Sequence, residues 1–368
     1  MFEDLLAAWD GDEAVVRFDE PSGAWMIVAV HDTTLGAGMG GTRMKPYAAA
    51  HDALADALRL SGAMTLKQAA ADLPYGGGKA VIAVPELPAR GSEERHRLLV
   101  RYARMVDAMG GTYVTAADMN TGQADMDVIG EETTHVLGRS PELGGSGDPA
   151  PGTAAGVFHG IRASAQRGLG SDELDGRTVL VQGAGSVGAR LAVLLHEVGA
   201  VVVVADVDPG RAKETADRVD GTAIDAEAVI GTECDIFAPC ATGGVLSAAT
   251  IPKLRCRVVA GAANNQLQEP YDAELLAEAG ILYAPDFVIN AGGVLHLAGF
   301  ETLGWTPEEM ATRLVGIGDT LLEVYDAADR DGLTTDQAAV RLARSRLDAA
   351  RSPSTSSAAS SAASPSAG

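Results

Sequence analysis

The sequence predicts two α/β domains, the second a doubly wound parallel sheet, and three observations predict it. The chain has 368 residues, enough for two cores of ordinary size. Strand-like apolar runs alternate with helix-spaced ones on both sides of a stretch rich in Gly, Ser, Pro and Asp, GRSPELGGSGDPAPG from Gly138 to Gly152. Beyond that stretch an apolar strand runs into a glycine turn, a helix and a second strand leading to an acid, the order from which parallel sheets with crossover helices are built.

Taken in order, Ala24 to Val30 is a strand run, and His51 to Met64 sets Leu54, Leu58 and intervening alanines at helical spacing. Asp72-Leu-Pro-Tyr-Gly-Gly-Gly78 reads as a loop between Lys67 and the strand that follows Lys79, Ala80 to Val84. Arg95 to Met109 is a helix stopped by Gly110-Gly111, and Thr112 to Thr115 is a short strand leading to Asp118. After the hinge-like stretch, Ala154 to Arg167 reads as a helix. Thr178 to Gln182 is a buried strand, Gly183 to Gly188 opens a helix through Leu195, and Val201 to Val204 is a strand ending in Asp206. Apolar runs at Ile236-Phe237, Val258-Val259 and Ile281-Leu282 continue the pattern, and Thr306 to about Ala350 is helical. The tail, Arg351 to Gly368, is nearly all Ser, Ala and Pro; it cannot offset its ordering entropy by burial and is expected to be disordered.

Fifty acids against 28 bases give a formal charge of −22, which speaks against nucleic acid and anionic membrane surfaces as partners. No apolar run approaches the ~18 to 20 residues of a spanning helix, and Met1 to Glu13 lacks the signal-peptide pattern. Three cysteines, Cys234, Cys240 and Cys256, show no CxxC spacing, so they read as small buried residues in a reducing cytoplasm. Seven scattered histidines form no HExxH pair, and no metal is expected. Of the 28 bases, five are lysine: Lys45, Lys67, Lys79, Lys213 and Lys253. Where arginine supplies generic surface charge, a lysine kept in a glycine-rich or apolar setting suggests work for a compact, titratable amine.

Gly183-Ala-Gly-Ser-Val-Gly188 follows a strand, opens a helix and has Asp206 at the end of the next strand. This is the dinucleotide fingerprint: Gly183 for the tight turn, Gly185 for backbone approach to the pyrophosphate, Gly188 for close helix packing. Asp206 would accept the ribose hydroxyls and repel a 2′-phosphate, which favours NAD over NADP. Gly76-Gly-Gly-Lys79 is no phosphate loop, because Leu73 and Ala80 stand where that motif needs glycine and a hydroxyl. A fold-back between helix and strand can instead bring Lys67 and Lys79 to one cleft, where repulsion and desolvation lower at least one pKa. One would pair with a substrate carboxylate and the other act as a base through water; two ordinary loop-edge lysines are the alternative. Asp118 suits either a proton shuttle or a helix N-cap.

Gly40-Gly41-Thr-Arg43, Lys67, Gly76 to Lys79, Thr115-Ala-Ala-Asp118, Gly183 to Gly188, Ala238-Pro-Cys-Ala241, Gly261-Ala-Ala-Asn-Asn265 and Asn290-Ala-Gly-Gly293 resemble, in order, the motifs of the Glu/Leu/Phe/Val amino-acid dehydrogenases. They span roughly residues 35 to 305. The resemblance implies reversible, NAD-linked oxidative deamination of an L-amino acid to a 2-oxo acid and ammonia. It implies that Lys67, with Gly41 and Asn265, holds the α-carboxylate, that Lys79 activates water, and that Asp118 exchanges protons with the amino group. Arg43, Thr153, the turn Gly183, Ala184, Gly185, Ser186, Val187 and Gly188, then Asp206, Cys240, Ala241, Asn264 and Asn290 would contact the cofactor, Cys240 as a small wall residue. The implied organisation is a substrate and homo-oligomerisation domain (1–137), a hinge (138–152), a Rossmann NAD domain (153–305), helices packing across both (306–350) and the tail (351–368).

Met39, Ala116, Val294 and Leu297 would line the side-chain pocket, and no second cation stands in these motifs for a glutamate side chain. LPYGGGK, Met119-Asn-Thr, RGLGS (Arg167 to Ser171) and HLAGFETLGW (His296 to Trp305) resemble actinobacterial-type phenylalanine dehydrogenases. Ala116 and Val294 match the leucine and valine branch, whose walls shorten the pocket. Phenylalanine stands first on overall resemblance, with a branched-chain substrate as the alternative, since one methylene separates them by only ~1–3 kcal/mol. A hydroxy-acid oxidoreductase, which normally uses histidine, and a catalytically silent dinucleotide-binding regulator are the rivals from other classes.

Overall fold

The computed structural model describes residues 2–352. Its first half contains α1 (Phe2–Ala8), β1 (Glu13–Asp19), β2 (Ala24–Asp32), β3 (Gly38–Lys45), α2 (Ala50–Ala70), β4 (Gly76–Ala83), α3 (Glu93–Asp107), β5 (Tyr113–Ala117) and α4 (Gln123–Ile129). The five strands form one sheet in the order β1-β2-β4-β3-β5, with β1, β2 and β4 antiparallel in turn and β3 parallel to both β4 and β5. Alternation along the strands sorts the core. Ile27, Ala29, Val81 and Ala83 face Leu54 and Leu58 of α2, while Met26, Val28, Ala80 and Ile82 face Leu98, Leu99 and Tyr102 of α3.

The second half contains α5 (Ala150–Leu169), β6 (Thr178–Gln182), α6 (Gly188–Glu197), β7 (Val201–Ala205), α7 (Pro209–Arg218), β8 (Thr222–Ile224), β9 (Ile236–Pro239), β10 (Val258–Val259), α8 (Asp272–Glu278) and β11 (Leu282–Tyr283). Then follow α9 (Asp286–Ile289), α10 (Gly292–Glu301), α11 (Pro307–Asp331) and α12 (Thr335–Arg351). The six strands are all parallel in the order β11-β10-β9-β6-β7-β8. Strand order reverses between β6 and β9, the crevice where doubly wound sheets bind ligands. Val179 and Val181 of β6 face the core that holds α5 and α11, and Leu180 faces the opposite one with Phe237 and Leu276.

Several sequence expectations change. The triplet Gly76 to Gly78 lies in strand β4 rather than a loop, and Gly40-Gly41 lies in β3; without side chains, neither shows the apolar alternation that marks a strand. Ala150 to Gly152, expected within the linker, form the first turn of α5. The long carboxyl-terminal helical segment is two helices, broken at Gly332, whose φ of +65° ends α11 in the left-handed region. Arg351 belongs to α12 instead of a disordered tail, because its guanidinium pairs with Asp32 and donates to Thr34. The rest of the expected tail, residues 353–368, lies outside the described residues. No described helix is long and apolar enough to cross a membrane.

Candidate active site

Two lysines share one cavity because glycines let helix and strands close on each other. α2 crosses β4 so tightly that a Cβ on Gly77 would lie 2.0 Å from Thr65 Oγ1 and 2.4 Å from the Ser61 carbonyl. On the other neighbour, a Cβ on Gly40 would lie 1.7 Å from the Gly78 carbonyl. Lys67 in the last turn of α2, Lys79 within β4 and Asp118 just after β5 therefore line a single cavity of about 170 Å³. Gly41, Arg43, Asn264 and Asn265 complete its polar wall. Met39, Ala116, Val294 and Leu297 supply the apolar end, where Met39, Ala116, Leu137 and Leu297 form their own small cluster. None of the lining residues is a histidine, which leaves the hydroxy-acid reading without its usual base.

Lys79 is buried, with Nζ 2.9 Å from Asp118 Oδ2. The same oxygen accepts from Arg43 Nε at 3.0 Å. Burial pushes the Asp118 carboxyl up, but the charges of Lys79 and Arg43 outweigh it and hold the group below the ordinary carboxylate range. Asp118 is not a helix cap, since Gly122 occupies the N-cap of α4. Burial pulls the Lys67 ammonium down to about 8, against the opposing charge of Asp286 and with the repulsion of Lys79. Its Nζ donates to Asn264 Oδ1 at 3.0 Å, and Asn290 Nδ2 donates to the same oxygen at 2.8 Å. Asn265, held at φ +52°, accepts instead from Arg59 at 3.3 Å. Beneath the site Thr42 Oγ1 lies 2.6 Å from both Tyr102 OH and Thr115 Oγ1, a buried hydroxyl triangle that ties β3, β5 and α3.

The glycine turn after β6 forms the second half of the site. Gly183 has φ +102° and abuts Ala241, while a Cβ on Gly188 would lie 1.8 Å from the Gly183 carbonyl, so α6 packs directly on the turn. A Cβ on Gly185 would meet nothing within 4 Å, and Ser186 beside it is exposed, with Val187 at the N-cap of α6. Asp206 takes the Ala184 N–H at 2.8 Å on Oδ2, and Asp208 N–H and Arg211 on Oδ1. Cys240 N–H donates to Gln182 at 2.7 Å, and burial pushes its thiol up to about 12, so it is an inert wall. Thr153 Oγ1 lies against Gly293, and Asn290 donates to Ala262 and Asn264 while its own Oδ1 is buried without a partner. A cavity of about 520 Å³ runs from Asp118 past Gly138 and Pro149 to Ser186, linking the two halves. An open backbone cradle at a helix start, an acid at the next strand end and an orphaned acceptor beside the lysines fit a dinucleotide carrying a carboxamide.

Two of the residues assigned to the cofactor also line the lysine cavity. Arg43, assigned by resemblance to the cofactor, is held between Asp118 and Asp56 in the wall of the lysine cavity. Asn264, assigned likewise, is the direct partner of Lys67, with Asn265 one residue further along the same wall. Sequence reasoning missed Asp286, which is buried in that wall, accepts the Gln266 N–H at 3.0 Å and faces Lys67. An acid set in the apolar run APDFVI was the available signal. Asp56, which gathers Arg43, Arg59 and Tyr47, left no comparable signal on its amphipathic helix.

Family models agree with this geometry. Residues 20–135 match the dimerisation domain of Glu/Leu/Phe/Val dehydrogenases, and residues 207–353 match the Glutamate/Leucine/Phenylalanine/Valine dehydrogenase model. Leucine dehydrogenase of Geobacillus stearothermophilus is 42% identical over 346 residues, 94% of this chain and 93% of the relative. Valine dehydrogenase of Streptomyces virginiae is 45% identical over 343 residues, 92% and 94% of the two chains. The crystal structure of L-tryptophan dehydrogenase from Nostoc punctiforme superposes with a TM-score of 0.79 at 40% identity, covering 95% of this chain and 99% of that one. With its glycine-spaced lysines, its two sheets and these relatives, the chain belongs to the Glu/Leu/Phe/Val dehydrogenase family of amino-acid oxidoreductases.

Proposed function

We propose that the protein oxidatively deaminates a branched-chain L-amino acid, leucine or valine, to the 2-oxo acid and ammonia with NAD as cofactor. The carrying observation is the cavity itself, which sets Lys67, Lys79 and Asp118 at one end and an apolar wall at the other. Its volume of about 170 Å³ is close to the ~150 Å³ that holds one benzene ring, and it must also take the α-carboxylate and amino group. An isobutyl or isopropyl group suits the apolar end lined by Met39, Ala116, Val294 and Leu297. Leucine and valine dehydrogenases among the relatives support this choice over phenylalanine, which the overall motif resemblance put first.

In this reading Lys67 pairs with the substrate α-carboxylate, a local cation working against the −22 of the chain. Asp118 takes a proton from the substrate amine. NAD, when bound, supplies the acceptor for the hydride leaving Cα. Lys79, held 2.9 Å from Asp118, then activates water for addition to the imine carbon, and ammonia departs with the 2-oxo acid. The Gly183–Gly188 turn and Asp206 would hold the adenosine half, and Asn290 Oδ1 the carboxamide N–H. Residues 20–135, which match a dimerisation domain, would also assemble a homo-oligomer.

Initial rates with L-Leu, L-Val, L-Phe, L-Trp and L-Glu at fixed NAD test the assignment. Highest kcat/KM on leucine or valine is expected. Phenylalanine or tryptophan as best substrate overturns the pocket argument, and glutamate overturns the whole substrate class.

A further inference from the structure

Glu301 lies outside the substrate cavity, at the end of the helix that carries two of the cavity's wall residues. Leu297 precedes it by four residues, one turn along α10, and so shares its side of the helix. The carboxylate gathers the linker that leads out of the first domain. Glu301 Oε1 accepts the Gly138 N–H at 2.9 Å, the Ser146 N–H at 3.0 Å and the Ser146 hydroxyl. Oε2 adds a longer contact of 3.2 Å to Gly138. One turn back, His296 Nε2 lies 3.1 Å from the Ser146 carbonyl. Gly138 follows Leu137 directly, and a Cβ on it would lie 3.4 Å from Leu297 Cδ2. Leu137 and Leu297 are members of the apolar cluster at the side-chain end of the cavity.

We propose that Glu301 is a positioning residue for substrate selectivity: by pinning Gly138 and Ser146 to α10, it fixes Leu137 against Leu297 and so sets how far the pocket wall can retreat. This rests on the reading that the Met39, Ala116 and Leu297 end holds the substrate side chain. A carboxylate with three donors on one oxygen is rigid; without it two backbone N–H groups lose their acceptor and the linker moves off the helix. A looser wall gains little for a large side chain and loses contact with a small one.

The experiment compares wild type, Glu301→Ala, Glu301→Gln and Ser146→Ala in kcat/KM for L-Leu and L-Phe at saturating NAD, with thermal midpoints. Glu301→Ala should lower the Leu/Phe ratio about tenfold, chiefly through a higher KM for leucine. Glu301→Gln should keep the ratio within about twofold, because its amide oxygen can take the place of Oε1 toward Gly138 and Ser146, giving up only the longer Oε2 contact. Ser146→Ala, a milder change should Glu301→Ala fail to fold, should shift the ratio about threefold in the same direction. Equal loss on both substrates, an unchanged ratio, or a glutamine variant as defective as alanine overturns the proposal. Failure of the underlying reading is separate: wild type would then oxidise neither apolar amino acid.

Discussion

Lys67 and Lys79 carry the same charge into one cavity but have different neighbours. Lys79 is neutralised by a carboxylate oxygen at 2.9 Å, whereas Lys67 touches the neutral Asn264 amide and faces Asp286. Burial outweighs the charge of Asp286 at Lys67 and pulls its ammonium down to about 8. Only the protonated form attracts a carboxylate, so KM for the amino acid should rise as pH climbs through about 8. Asp286→Asn removes an anion that favours the ammonium, and the inflection in the KM profile should move to lower pH; an unmoved inflection would show that Asp286 does not act on Lys67. Lys79→Ala should lower kcat by ~10²–10⁴ while NAD binding, followed by protein fluorescence, stays within about twofold. Survival of turnover would remove Lys79 from the chemistry. The sequence showed both lysines and Asp118 as candidates, because five lysines among 28 bases stand out. It could not show which of the adjacent Asn264 and Asn265 meets Lys67: both line the cavity, and the folded chain, left-handed at Asn265, gives the bond to Asn264.

At the scale of elements, the site depends on the close fit of α2 on β4. Gly77→Ala would place a methyl 2.0 Å from Thr65 Oγ1 and 2.3 Å from the Thr65 backbone nitrogen. The helix must lift, carrying Lys67 away from Lys79. Overpacking of this kind should cost about 1–3 kcal/mol in denaturant unfolding, with a larger fractional loss of kcat/KM than of folded protein. Wild-type activity in Gly77→Ala would mean that the fit is not needed. The same glycines explain what the sequence concealed. The strands around β6 announced themselves by continuous Val and Leu runs, as buried parallel strands do. β3, GMGGTRMK, and the start of β4, GGGK, carry too few side chains to show a period, and the latter reads as a loop. β1, EAVVRFD, mixes charge with apolar residues at an edge, and its pairing with β2 becomes visible only in the folded sheet.

For the whole molecule, the decisive connection is the return of the last helix to the first domain. Arg346 donates to the carbonyls of Ala69 and Ala70, at 3.1 and 2.7 Å, capping the end of α2 just beyond Lys67. Arg346→Ala should lower stability by about 1–3 kcal/mol, since two charge-assisted bonds to helix-end carbonyls are lost. It should also raise KM for the amino acid, as the Lys67 turn frays; an unchanged KM would confine Arg346 to stability alone. A chain that closes this way also has a schedule. Arg346 lies 277 residues after Ala69, and at ~5–20 residues per second the ribosome delivers it tens of seconds after α2 has emerged. During that interval the first domain waits with the end of α2 uncapped, and a nascent chain released early would possess both cavity lysines without the helix that secures one of them.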